Sequence, residues 1–156
     1  MKEGRRAPAF RLPDQDGNLV RLSDFSGRTV VLYFYPKADT PGCTAQACGI
    51  RDRSVDYEAA GAIVLGVSRD DPAQLRRFAE KNDLRHALLS DPDHKVAEKY
   101  GVWVEKSMYG RRYWGVQRAT FIISPNGKIV KAFPKVSPKK HDDLVLEALD
   151  EVARVA

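Results

Sequence analysis

Two cysteines that lie close together are the residues of this sequence best suited to chemistry. Cys43 and Cys48 are the only cysteines among 156 residues. A thiolate is a nucleophile and can be oxidised, so a close pair in a reducing compartment is typical of catalysis or metal binding. A bond between residues so near in the chain would close too short a loop to stabilise the fold much. The pair therefore indicates reactive thiols more than a structural disulfide.

The residues before Cys43 predict a helix N-terminus at its position. Thr40 and Pro41 form a helix start signal after a turn-rich stretch. Unpaired backbone N–H groups and the positive end of the helix dipole stabilise a thiolate in the first turn. We therefore expect Cys43 to be the nucleophile.

Cys48 lies on the same predicted helix, and an intact helix keeps it out of reach of Cys43. Helix geometry puts the two Cα atoms roughly 8.6 Å apart. A disulfide requires a Cα separation below about 7 Å. Either the pair never bonds, or the first turns of the helix unwind when it does. Gly42 and Gly49 favour unwinding, because glycine is a poor helix former.

Strands and helices that alternate along the chain must position these cysteines. Strands are predicted at 29–35, 62–68 and 87–89, with hairpins at 9–22 and 119–133. Helices are predicted from 41 or 43 to 60, 72 to 81, 92 to 100 and 139 to 154. This order predicts a three-layer α/β fold with a largely parallel sheet, to which the last hairpin adds an antiparallel edge.

Length and composition exclude several classes of protein. A chain of 156 residues predicts a single domain over 1–156, and 43% hydrophobic with 30% charged residues is typical of a globular protein. The net charge of +5 is spread along the chain, which argues against nucleic-acid binding. No apolar run suits a signal peptide or a membrane span, so we expect a cytoplasmic protein with no membrane contact.

A metal site is not expected from this sequence. The three histidines, His86, His94 and His141, have no metal-ligand spacing to the cysteines, and the C-x4-C pair lacks a second pair of ligands. We predict that the protein has no metal and no cofactor.

The segment YPKADTPGCTAQACGIRD at 35–52 resembles the active-site segment of the peroxiredoxins. In that family Pro, Thr and the reactive Cys follow the pattern P-x3-T-x2-C, here Pro36, Thr40 and Cys43. The second cysteine, five positions later, is similar to the subgroup called peroxiredoxin Q or bacterioferritin comigratory protein. Residues 9–25 and 101–123 resemble the same subgroup. The resemblance implies a thioredoxin-like three-layer α/β fold with an N-terminal β-hairpin extension and a mixed central sheet.

The resemblance also implies a thioredoxin-dependent peroxidase and a role for each residue of the site. Cys43 would attack hydrogen peroxide or a small organic hydroperoxide and become a sulfenic acid, and Cys48 would resolve it as an intramolecular disulfide. Thioredoxin or a similar dithiol protein would reduce that disulfide. Arg118 would stabilise the thiolate and the departing oxygen, Thr40 would hydrogen-bond the sulfur and the peroxide, and Pro36 would exclude water. We expect a monomer or a weak dimer.

The sequence departs from the family pattern at one position. The family usually has Glu three residues after the reactive cysteine, whereas this chain has Gln46. The carboxylate that helps to orient the arginine is therefore replaced by an amide, which leaves the local partner of Arg118 open.

A protein of another class could use the same cysteines. A non-catalytic thioredoxin-like redox sensor or partner-binding module also needs two thiols and an unwinding helix, but it does not need rapid turnover. A disulfide reductase of the thioredoxin type is disfavoured, because C-x4-C is not C-x2-C.

Two further groups of residues are given ordinary structural roles. The aromatic residues of the later motif are expected to pack in the core or line a pocket, namely Trp103, Tyr109, Tyr113 and Trp114. The acidic pairs Asp70-Asp71 and Asp142-Asp143 are expected to cap helices.

Overall fold

A five-stranded sheet lies at the centre of the computed structural model, which describes residues 2–155. The strands are β1 (Arg11–Pro13), β2 (Leu19–Arg21), β3 (Thr29–Phe34), β4 (Ala62–Ser68), β5 (Ala87–Ser90), β6 (Trp103–Met108), β7 (Arg111–Val116), β8 (Ala119–Ile123) and β9 (Ile129–Phe133). The helices are α1 (Pro41–Asp52), α2 (Ser54–Ala59), α3 (Pro72–Asn82), α4 (Lys95–Lys99) and α5 (His141–Val155). A 3₁₀ helix spans Leu22–Phe25.

The central sheet is mixed, in the order β5-β4-β3-β8-β9. Strand β4 pairs in parallel with β3 and with β5, whereas β8 pairs antiparallel with β3 and with β9. The mixed sheet is therefore confirmed, but the parallel part is smaller than the expected largely parallel sheet. Both strands of the last hairpin join the sheet, so half of its pairings are antiparallel. The N-terminal hairpin β1–β2 is also confirmed.

Strand β3 is buried on both faces, as its unbroken apolar sequence predicts. One face packs against side chains of α1, α3 and α5. The other face packs against α4 and against the N-terminal segment around Phe10 and Leu12. Because β3 is fixed in this way, the loop that follows it holds the start of α1 in one place.

The predicted single helix from 41 to 60 is wrong, because the chain forms two helices with a junction at Arg53. The backbone of Arg53 has φ −104° and ψ 16°, outside the α-helical region. Its guanidinium donates to Asp56 at 2.6 Å and to Asp143 at 3.0 Å. These contacts tie the junction to α5 and allow α2 to start in a new direction.

The helix predicted over 92–100 is shorter in the structure, where α4 begins only at Lys95. His94 has φ 54°, a left-handed conformation that stops the helix from extending backwards. The Asp91 carboxylate accepts hydrogen bonds from the N–H groups of Val96 at 3.2 Å and Ala97 at 2.9 Å, which fixes the first turn. Helix α5 begins two residues later than predicted, at His141.

The antiparallel hairpin of β6 and β7 was not among the predicted elements. It forms a separate two-stranded sheet, with Tyr109 and Gly110 at positive φ in its turn. The prediction that the aromatic residues of this segment pack in the core is therefore wrong for three of the four. Tyr109, Tyr113 and Trp114 are exposed, because a two-stranded ribbon outside the main sheet has too little cover to bury them. Trp103, at the base of the hairpin, is half-buried.

Candidate active site

Cys43 lies in the first turn of α1, as predicted. Thr40 is the N-cap and Pro41 the first helical residue. The first backbone bond of the helix runs from the N–H of Thr44 to the carbonyl of Thr40, at 2.8 Å. The N–H groups of Gly42 and Cys43 precede that bond and are free for an anionic sulfur or for substrate. Cys43 is only 2% exposed, so its sulfur is held largely out of water.

The guanidinium of Arg118 lies directly against the Cys43 sulfur. Nη2 of Arg118 donates to Sγ of Cys43 at 3.3 Å. Arg118 follows the end of β7, one residue before β8, and β8 pairs with β3, so the sheet brings together two residues 75 positions apart. An arginine is always charged and stabilises a thiolate at this distance.

Gln46 supplies the local partner of Arg118 that the sequence left open. Nη1 of Arg118 donates to Oε1 of Gln46 at 2.6 Å, and Gln46 is fully buried one turn after Cys43. Within residues 2–155, Nε2 of Gln46 has no hydrogen-bond partner. The amide therefore orients the guanidinium without neutralising it, which leaves its positive charge for the sulfur.

Gly42 is needed for the close approach of Arg118 to the helix. A Cβ at this position would lie 3.1 Å from Nη2 of Arg118 and 3.6 Å from Cγ of Pro138. The guanidinium therefore rests against the backbone of the first turn, where the free N–H groups are.

Thr40 and Pro36 belong to the loop between β3 and α1. Thr40 Oγ1 donates to the carbonyl of Lys37 at 2.7 Å, so its lone pairs are left to accept a hydrogen bond. Pro36 is half-buried and directly follows the buried Tyr35. The contact that the structure shows for the Thr40 hydroxyl is thus with the loop and not with the sulfur.

Asp70 holds this loop, a function that the sequence reasoning missed. The expected capping role is correct for Asp71, whose carboxylate accepts from the N–H of Gln74 at 2.8 Å. Asp70 is buried instead and accepts from the N–H of Ala38 at 2.8 Å and from the hydroxyl of Ser68 at 2.7 Å. An acid directly before the Asp71 cap was the signal available in the sequence. The sequence shows neither that Asp70 is buried nor that Ala38 is its partner.

Cys48 faces another part of the molecule. Both cysteines are free thiols on the same intact helix. The Cys48 thiol donates to Oδ1 of Asn82, the last residue of α3, at 3.7 Å. The Arg51 guanidinium donates to the carbonyl of Asn82 at 2.6 Å. A Cys43–Cys48 bond therefore requires α1 to unwind and Cys48 to leave Asn82.

Buried phenols lie near the reactive cysteine. Burial raises the pKa of Tyr35, and the nearby Asp70 and Cys43 raise it further. Burial also raises the pKa of Tyr33, whose hydroxyl is 2.7 Å from Nε2 of His86. Both phenols therefore stay protonated and add no negative charge next to the sulfur.

Lys106 of β6 is a second cation near the site, and sequence reasoning missed it. Burial lowers the pKa of Lys106, the charge of Arg118 lowers it further, and the Cys43 sulfur raises it. Its ammonium is thus within electrostatic reach of both groups that define the site.

The described residues contain no cluster of three or more His, Cys, Asp or Glu side chains able to hold a metal ion. Over residues 2–155 there is also no helix with the length and apolar character needed to span a membrane.

Comparison with known proteins decides the family. The model of the AhpC/TSA family matches residues 4–132. The chain belongs to the AhpC/TSA family. Within it, the chain is 52% identical to peroxiredoxin Bcp of Escherichia coli over 153 residues, 98% of each protein. It is 49% identical to a putative peroxiredoxin of Mycobacterium tuberculosis over 138 residues, 88% of each.

Solved structures give the same relationship for this AhpC/TSA protein. The bacterioferritin comigratory protein of Xanthomonas campestris, described for its alkyl peroxide reduction activity, is 35% identical with a TM-score of 0.91. That match covers 97% of this chain and 99% of the other. A cysteine-to-serine variant of Xylella fastidiosa PrxQ is 32% identical with a TM-score of 0.92 and 98% coverage of each chain.

These relatives confirm the predicted family and the thioredoxin-like fold. The chain is a peroxiredoxin of the Bcp and peroxiredoxin Q type, and hence a thiol-dependent peroxidase that takes a peroxide substrate and a thiol reductant.

Proposed function

We propose that this peroxidase reduces hydrogen peroxide and small organic hydroperoxides at Cys43, with Cys48 as the resolving cysteine and thioredoxin as the reductant. The observation that carries the proposal is the 3.3 Å contact of the Arg118 guanidinium with the Cys43 sulfur at the start of α1. A cation and free N–H groups at one sulfur are the means by which proteins keep a thiolate anionic. The alkyl peroxide reduction described for the Xanthomonas campestris relative supports the organic substrates.

In the first step the Cys43 thiolate attacks one oxygen of the peroxide. The S–O bond forms as the O–O bond breaks, and the sulfur is oxidised to a sulfenic acid. The other oxygen leaves as water or an alcohol after taking the proton that the Cys43 thiol released when it became a thiolate. Arg118, hydrogen-bonded to the sulfur, stabilises the negative charge that moves to the departing oxygen. Thr40 accepts a hydrogen bond from the peroxide with the lone pairs that its bond to Lys37 leaves free, which orients the peroxide.

In the second step the Cys48 thiolate attacks the Cys43 sulfenic sulfur. The S–S bond forms, and the hydroxide that leaves combines with the proton released by Cys48 to give water. This step needs the unwinding of α1 and the loss of the Cys48 contact with Asn82. The two thiols of thioredoxin then supply two electrons and two protons and restore both cysteines by exchange through a mixed disulfide.

The test is peroxide consumption by two cysteine variants in the presence of thioredoxin, thioredoxin reductase and NADPH. Cys43→Ser should abolish consumption, because the nucleophile is absent. Cys48→Ser should consume one equivalent of peroxide and then stop, with a sulfenic acid on Cys43 detectable by mass spectrometry. Full activity of Cys43→Ser, or unchanged cycling of Cys48→Ser, would overturn the proposed roles. Oxidation of the native protein only once, without cycling, would favour a redox sensor instead.

A further inference from the structure

The tip of the β6–β7 hairpin carries most of the exposed large apolar side chains in the described part of the chain. Four of the seven such residues lie within positions 108–114, namely Met108 at 56% exposure, Tyr109 at 98%, Tyr113 at 42% and Trp114 at 57%. Two arginines, Arg111 and Arg112, lie between them. Tyr, Trp, Met and Arg are the residues enriched in the energetically important centres of protein interfaces.

The register of the hairpin divides these residues between two faces. Lys106 pairs with Tyr113 and Met108 with Arg111, so these four side chains lie on one face, which we call the basic-aromatic face. The opposite face contains Trp114 and Arg112. There Trp114 stacks on Trp103, with ring centroids 6.4 Å apart, and Arg112 lies 3.6 Å from Glu105.

The basic-aromatic face is the one beside the reactive cysteine. A Cβ at Gly115 would lie 3.4 Å from Cδ of Lys106 and 3.5 Å from Cε2 of Tyr113, so these two side chains lie side by side over Gly115. Three residues after Gly115, which shares this face, the chain reaches Arg118, whose guanidinium lies 3.3 Å from the Cys43 sulfur. The ammonium of Lys106 is within electrostatic reach of both groups. A partner on this face would therefore lie next to the active site.

The shape and charge of this face indicate the kind of partner. Small ligands bind in concave sites, whereas Tyr109 at the tip is almost wholly exposed and protrudes. Lys106 and Arg111 give the face a positive charge without a carboxylate in the same set of paired residues. A second copy of this chain, which has a net charge of +5, would be repelled electrostatically. An acidic protein is the complementary occupant.

We propose that the basic-aromatic face, Lys106, Met108, Arg111 and Tyr113 with Tyr109 at the tip, is the docking surface for the acidic dithiol protein that reduces the Cys43–Cys48 disulfide. The inference rests on the proposed function, since it needs that disulfide. In the docked complex one partner thiolate attacks the disulfide and forms a mixed disulfide. The second partner thiol then displaces it, so the partner loses two electrons and two protons, and Cys43 and Cys48 regain them.

The test compares neighbouring positions on the two faces. Tyr113→Ala and Arg111→Glu alter the docking face, whereas Trp114→Ala and Arg112→Glu make the same kinds of change on the opposite face. With an acidic bacterial thioredoxin as reductant, the first two variants should raise the KM for thioredoxin about tenfold, as expected for an interface residue of central importance. The KM of the two control variants for thioredoxin should stay within about twofold of the native value. The increase in KM caused by Arg111→Glu should become smaller as the salt concentration is raised.

A parallel assay with dithiothreitol separates the docking surface from the chemistry. All four variants should reduce peroxide with dithiothreitol at the native rate, because the small thiol needs no docking surface. Equal KM values for thioredoxin in the variants of both faces would overturn the docking proposal. So would an effect confined to the KM for peroxide. Sedimentation showing that Tyr113→Ala dissociates a native dimer would also overturn it. The disulfide itself is tested separately by mass spectrometry of the native protein after one equivalent of peroxide, where two remaining free thiols would overturn the proposed function rather than the docking surface.

Discussion

At the scale of single residues, Arg118 is the charged group that contacts the Cys43 sulfur. Its two terminal nitrogens bind different partners, Cys43 at 3.3 Å and Gln46 at 2.6 Å. Because Gln46 is neutral, the cation is positioned without an anion that competes with the thiolate. The buried sulfur would otherwise lose the stabilisation that water gives to a negative charge.

Replacing Arg118 by Met should therefore slow both alkylation and oxidation of Cys43. We expect the rate of peroxide attack to fall about 100-fold or more, as for the loss of one preorganised donor to a developing anion. Iodoacetamide labelling at pH 7 and single-turnover peroxide consumption measure the two effects. Arg112→Met, at an exposed position of β7, is the matched control and should retain both rates. Native rates in the Arg118 variant would remove this residue from the mechanism.

At the scale of elements, the proposed attack of Cys48 on Cys43 depends on how firmly helix α1 is held. Its first turn holds Cys43, and its second half is fixed against α3 through Asn82 and against α5 through Asp142. Asp142, expected to be a helix cap, accepts a hydrogen bond from the Tyr57 hydroxyl at 2.6 Å. A Cβ at Gly49 would lie 2.5 Å from Oδ2 of Asp142. The glycine thus allows the carboxylate to touch the helix beside Cys48.

Gly49→Ala should destabilise the protein, although alanine is the better helix former. In an open helix the change would stabilise by roughly 0.5–1 kcal/mol. Here the methyl group overlaps the Asp142 carboxylate, and overpacking of this kind costs about 1–3 kcal/mol. Urea unfolding measures the net loss.

A double-mutant cycle with Asp142→Ala identifies the cause of that loss. In the Asp142→Ala background the overlap is removed, so Gly49→Ala should become neutral or stabilising. The same destabilisation in both backgrounds would show that the contact with Asp142 is not responsible.

The stability of the whole molecule should depend on pH through His86, a half-buried histidine that contacts the Tyr33 hydroxyl. Burial lowers the pKa of His86 to about 4, an effect that Asp142 opposes and His141 reinforces. In the folded protein His86 is largely neutral at pH 5, whereas in the unfolded chain it is protonated below its ordinary pKa near 6.5. The unfolded state therefore binds more protons between about pH 6.5 and pH 4, and the free energy of unfolding falls as the pH falls through this range.

Between pH 7 and pH 5 this histidine should account for a loss of at most about 2 kcal/mol in the free energy of unfolding. Urea unfolding at the two pH values measures it. His86→Gln should reduce the pH dependence, and His94→Gln, which leaves His86 and its contact with Tyr33 in place, is the control. Identical pH dependence in all three proteins would contradict the assignment to His86.

The elements and the position of Cys43 at a helix start could be predicted from the sequence because their signals are local. The apolar run of β3 and the Asp71 cap of α3 are confirmed, and Cys43 lies in the first turn of a helix that starts at Pro41. The junction at Arg53 could not be predicted, because the Asp143 contact that fixes it comes from α5, far away in the chain. The exposure of Tyr113 likewise depends on where the β6–β7 hairpin lies relative to the sheet.

The sequence by itself determined the peroxiredoxin family and the place of Cys43 at a helix start, since a helix start is set by a few adjacent residues. The family resemblance named Arg118 for the site, but only the tertiary structure showed how Arg118 and the other groups reach Cys43. Arg118 reaches Cys43 through the pairing of β8 with β3, and Asp70 reaches Ala38 from the end of β4. Contacts between distant segments depend on strand order and packing, and no local pattern of residues encodes them.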